Sequence, residues 1–150
     1  YYLPGTTGWG PTFGGRPTAL WNLPVMRVSA TDATARFIRE RPSEVRAMYL
    51  LWFQSIDPSA EYHPNILNVH RAQRRDIENW IRAAQKAGQL DLSVNSRRVA
   101  EQYCASMAGI AYQWLVNPEM PLGSMYRQLK SNLRVQLQAR SELRLRVRMP

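Results

Sequence analysis

Residues 95–118 read NSRRVAEQYCASMAGIAYQWLVNP, and this stretch decides the fold class. Asn95 or Ser96 is a helix-opening residue, because a short polar side chain accepts a hydrogen bond from the first free backbone amides. Asn117-Pro118 closes the segment, since a residue before proline is pushed out of the helical region. Between them lie two apolar faces of different texture. Val99, Tyr103, Met107, Ile110 and Trp114 form a stripe of large side chains at helical spacing. Ala100, Cys104, Ala108, Ala111 and Leu115 form a neighbouring stripe of small ones, with Ala105 and Gly109 alongside. A helix apolar over so much of its circumference must be covered on two sides, and small residues let a second helix approach closely. The expectation is an all-α helical bundle of about five helices.

Working outward, the same punctuation recurs. Upstream, Ile66, Val69/His70, Gln73, Ile77, Trp80/Ile81 and Ala84 mark a long helix over about Asn65 to Ala87. Gly88 is placed to end it in the left-handed conformation, with Leu90 folding back. His70, Gln73 and Arg74 interrupt its apolar face. Before it, Val45, Met48, Tyr49, Trp52, Phe53 and Ile56 give one continuous stripe in a helix capped by Ser43 and ended by Asp57-Pro58. Thr31 or Asp32 opens a short helix that stops before Arg41-Pro42. Residues 1–28 hold five of the eight Gly and four of the ten Pro, so residues 1–30 read as an extended arm or linker rather than a regular element. Downstream, a helix begins near Pro121, with Leu122, Met125/Tyr126, Leu129, Leu133 and Leu137 on one face and Arg127, Lys130 and Arg134 on others. Beyond Ala139 the pattern Leu143-Arg-Leu145-Arg-Val147-Arg alternates with period two. It reads as a frayed basic tail over 141–150 or as an edge strand; the tail is preferred, because a lone strand is not stable by itself. The expected domain is therefore 31–140.

Composition narrows the function. No apolar run is long enough to span a bilayer, and the N-terminus has no basic-then-apolar secretory pattern; it also lacks an initiator Met, so the chain is expected to be part of something longer. A lone Cys104 forms no internal disulfide, which fits a reducing compartment, and the expected location is the cytoplasm. The net charge is +9, but residues 43–120 carry eight bases and eight acids, and the excess lies toward the two ends. A neutral middle argues against a body that grips phosphates. Catalytic and metal motifs are missing from the pattern: neither His63 nor His70 has a second His four residues on, Cys104 sits on a small apolar helix face where a thiol is usually inert packing, and no nucleophile elbow or carboxylate pair occurs. The Gly-Trp-Gly-Pro-Thr-Phe-Gly-Gly stretch is no phosphate loop, lacking the Gly-Lys-Ser/Thr that would follow. The expectation is a non-enzyme without cofactor or metal.

Three stretches resemble the regulatory domain of tetracycline-repressor-like (TetR family) transcription regulators. Trp80-Ile-Arg-Ala-Ala-Gln-Lys-Ala-Gly-Gln-Leu-Asp-Leu-Ser-Val-Asn95 looks like the end of that family's long central helix. Arg98 to Pro118, with its early Val-Ala, mid-helix Gly and Gln-Trp-Leu before Asn-Pro, resembles the next one. Arg41-Pro-Ser-Glu-Val-Arg-Ala-Met-Tyr-Leu-Leu51 is a weaker match to an earlier helix. Together they cover about residues 31–137. The family's helix-turn-helix head closes with a Tyr-x-x-Phe-x-x-Lys element, and nothing in residues 1–30 matches it. The resemblance implies a homodimer, a small-molecule effector, and DNA contacted only through a head not recognisable in this chain. In that family the last two long helices pair with their copies as a four-helix bundle.

The residues then sort into two expected sites. The dimer interface is assigned to Ala100, Cys104, Ala108, Ala111 and Leu115 with Leu122, Met125, Leu129 and Leu133, which together make a self-complementary surface; the plain alternative is internal core. The effector pocket is assigned to Met48, Trp52, Phe53, His70, Arg74, Tyr103, Met107, Ile110 and Trp114, a mostly apolar set with a few polar groups, again against a core reading. Arg74 reads either as the partner of an anionic effector or as a bridge to Glu78 on its own helix. The expected function is ligand sensing and dimerisation in a TetR-like regulator, a repressor, that couples effector binding to DNA affinity. The alternatives are a basic nucleic-acid-associated helical protein using the Arg-rich end after Arg127, and a purely structural dimerisation bundle.

Overall fold

The computed structural model describes residues 23–147, and side chains within 31–137. The order is α1 (Leu23–Glu40), α2 (Pro42–Gln54), α3 (His63–Lys86), α4 (Ser96–Val116) and α5 (Leu122–Val147), and no strand occurs among the described residues. Residues 1–22 of the arm expected over 1–30 lie outside them.

Local chemistry explains most boundaries. α4 begins and ends where its sequence places it: the Asn95 side chain accepts from the Arg98 amide at 3.1 Å, and the helix closes at Asn117. α3 ends in a double-bonded C-terminal turn. Gly88 has φ +75°, its amide donates to the Gln85 carbonyl, and the Gln89 amide reaches back to Ala84 at 2.9 Å, which uses carbonyls the helix leaves open. Gln85 then donates to the Asp91 and Val94 carbonyls at 3.1 and 2.8 Å, fixing the link to α4. Between α2 and α3, the Ser55 carbonyl meets His63 Nδ1 at 2.7 Å; a carbonyl only accepts, so Nδ1 carries the proton.

Three helix starts differ from expectation, each at a proline. α1 starts at Leu23, eight residues before Thr31 and inside the stretch read as arm, because Pro24 occupies the first turn, where no intrahelical donor is needed. α2 opens with Pro42 as its first helical residue and has no side-chain cap, so Ser43 lies inside the helix. It ends at Gln54 rather than Asp57. α3 opens at His63, again with Pro in its first turn. At the other end, α5 runs on to Val147, through the segment read as a tail. Leu and Arg are good helix formers, and each added residue of a helix gains a backbone bond.

Two clusters hold the bundle. Ala35, Ile38, Val45, Tyr49, Met107, Ala111, Leu122 and Tyr126 join α1, α2, α4 and α5. Ile81, Val94, Val99 and Leu137 join α3, the α3–α4 link, α4 and α5. Two phenols pin α4 at neighbouring carbonyls: Tyr126 donates to Met107 at 2.9 Å, and Tyr49 to Ala108. Burial holds both hydroxyls well above the usual tyrosine range, so they stay protonated and able to donate.

Candidate functional site

Six of the residues expected to line a pocket belong to the first core cluster or pack against it. Met107 is buried in that cluster, and Met48, Trp52, Tyr103, Ile110 and Trp114 pack against it. Phe53 is 48% exposed and stands edge-on to Tyr112, ring centres 5.4 Å apart. His70 meets the edge of Trp52 at 4.7 Å, which joins α3 to α2. Burial, and then the Arg74 charge, lower its pKa. One turn further along the same inner stripe of α3, the Gln73 side-chain nitrogen is buried with no hydrogen-bond partner among the described residues. A desolvated donor left unmade costs free energy that a bonded one recovers. The broken stripe read from the sequence is thus a seam holding one unspent donor.

The residues expected at a dimer interface divide. Ala100, Ala111 and Leu122 are buried within a single chain, so a second chain does not reach them in this arrangement. Cys104 is half-buried. Its thiol is pushed up to about 11 by burial, with Arg74 opposing and Asp76 adding to the shift. Leu115 and Leu129 pack against the first core cluster and Leu133 against the second, while Ala108 and Met125 are half-buried. Close approach to small residues is used, but by a helix of the same chain.

The outer face of α4 is different. Gln102, Ala105, Ser106, Gly109, Gln113 and Val116 follow one another at i, i+3, i+4, i+7, i+11 and i+14; all are exposed except the half-buried Gly109. A Cβ placed on Gly109 would meet nothing within 4 Å. Gln102 accepts from Gln136 at 3.3 Å, which ties this face to α5, where Val135 is 63% exposed.

A feature that sequence reasoning missed is an open groove of about 520 Å³ between α3 and the start of α4. Arg71, Arg74, Arg75 and Arg82 line it from α3 and Arg97 from α4. Glu78 pairs with Arg82 at 2.6 Å and Glu101 with Arg97 at 3.2 Å. Glu78 is therefore taken by Arg82 and does not bridge to Arg74, and no carboxylate pairs with Arg71, Arg74 or Arg75 among the described residues. The signal was present as basic residues at i, i+3 and i+4 in α3. It was averaged away by counting charge over 43–120 as a whole.

No three metal-ligating side chains come together among the described residues, and no described helix is long and apolar enough to cross a membrane. No family model, no curated protein and no solved structure matches the chain.

Proposed function

We propose that this chain is the ligand-sensing and dimerising domain of a TetR-like transcription regulator, coupling an effector in its interior to the DNA affinity of an attached helix-turn-helix. The observation that carries the reading is the buried, unpartnered amide of Gln73, next to the Trp52–His70 contact on the inner stripe of α3. A ligand carrying one acceptor and an apolar body satisfies that donor while spreading α3 from α2 and α4. Effector occupancy then favours one disposition of α1 and α2, the elements nearest the chain's N-terminal side, by its differential affinity for the two arrangements. The bare outer face of α4, with Val135 of α5, is the surface on which a second copy docks: Gly109 lets two such helices approach closely, and two-fold pairing makes the face self-complementary.

The test is crystallographic: crystals of the chain soaked with mixtures of small apolar molecules bearing a carbonyl or carboxylate. Density bonded to the Gln73 amide supports the sensing role. A seam closed in every soak, with the amide bonded to protein, removes it.

A further inference from the structure

We propose that the groove between α3 and the start of α4 is a second site, which binds a small polyanion carrying two or more phosphate groups. It borders the interior seam at Arg74 but does not depend on the sensing role proposed there. Three guanidinium groups, those of Arg71, Arg74 and Arg75, lie within little more than one helical turn and have no carboxylate partner among the described residues. Like charges at these spacings repel. Because Glu78 and Glu101 are held by Arg82 and Arg97 on their own helices, neither relieves that repulsion. An anion in the groove does. Guanidinium forks match phosphate oxygens two at a time, and the opening turn of α4, which borders the groove at Asn95 to Arg97, adds the positive end of a 21-residue helix.

The charge of the groove sets the class of ligand. Three guanidinium groups without carboxylate partners, spread over little more than one helical turn, offer more donors than one phosphate takes up and call for a chain of phosphates. A nucleic-acid track fits less well. No aromatic side chain lines the groove to stack a base, and Glu78 and Glu101 stand in its lining between the arginines, where they interrupt a run of backbone phosphates.

Titration calorimetry with tripolyphosphate as the probe tests this at about 0.15 M salt, where diffuse attraction is screened. The full chain is compared with R71Q/R75Q and with R46Q/R134Q, a pair that removes the same charge from exposed positions outside the groove. Arg74 is left unchanged because it also acts on His70. The expected result is saturable binding of one probe per chain, weakened about tenfold or more in R71Q/R75Q and changed by less than about twofold in the control pair. Circular dichroism melting confirms that both variants fold. The proposal is overturned by absence of saturable binding, by equal loss in both pairs, or by orthophosphate binding as tightly as tripolyphosphate. It is also overturned if a DNA oligonucleotide displaces the probe and several chains coat each strand, which makes the groove a backbone track.

Discussion

Tyr126 shows how much a single hydroxyl does in this bundle. Its ring is 1% exposed, and its proton goes to a carbonyl in the middle of α4, so Tyr126→Phe leaves the packing and removes one bond. Urea unfolding is expected to show a loss of about 1 kcal/mol; an unchanged midpoint would mean the bond contributes nothing. At Cys104, with its pKa near 11, the thiolate is scarce at neutral pH. Alkylation by iodoacetamide is expected to be much slower in the folded chain than in the urea-unfolded one, and equal rates would contradict the placement of this side chain. His70 gives a pH dependence. Its folded pKa lies below the ordinary 6.5, so the unfolded chain binds the proton more tightly. The stability it contributes is fully present above about pH 6.5 and falls as pH drops from there toward the lower folded value. His70→Gln is expected to flatten the stability profile between about pH 7 and pH 5.5, and an identical profile in wild type and variant would assign that slope elsewhere. Of these residues, His70 and Gln73 were legible as polar breaks in an apolar stripe. The clamp by Tyr49 and Tyr126 was not, because stripe spacing shows that a ring is buried but not where its hydroxyl ends.

The helices carry their own tests. Gly88 closes α3 at φ +75°, and a Cβ there meets nothing within 4 Å, so Gly88→Ala pays only the backbone cost of a left-handed alanine, about 1–2 kcal/mol. Gly109 sits mid-helix on an open face. Gly109→Ala is expected to raise stability by up to about 1 kcal/mol through helix propensity, while Gly109→Leu, whose larger side chain stands on the proposed docking face, shifts sedimentation from dimer to monomer with circular dichroism unchanged. A wild-type chain sedimenting as a monomer would remove the docking surface. The existence of α2 to α5 was readable because their apolar stripes keep one period, and α4 was readable to within a residue because Asn95 or Ser96 and Asn117-Pro118 mark its ends. Boundaries failed at Pro24, Pro42 and Pro64: proline ends one helix by restricting its predecessor and begins another by supplying a ready φ, and the sequence does not say which side wins.

For the whole molecule, what the sequence hides is which face covers which. The small stripe of α4 was expected to meet a second chain. Ala100 and Ala111 of that stripe are buried within the chain, while Cys104, Ala108 and Leu115 are half-buried and the outer face at Gly109 is bare. The basic groove has the same origin: charge balanced along the chain is segregated in space once α3 and α4 lie side by side. The sensing claim rests on the remaining interior anomaly, the Gln73 amide, and Gln73→Leu tests it most directly. If that donor is buried and unspent in the ligand-free chain, replacing it with an apolar side chain of similar size raises unfolding stability by about 1 kcal/mol. A loss of stability in Gln73→Leu would show that the amide already has its partner, and the interior seam would have no donor left for a ligand.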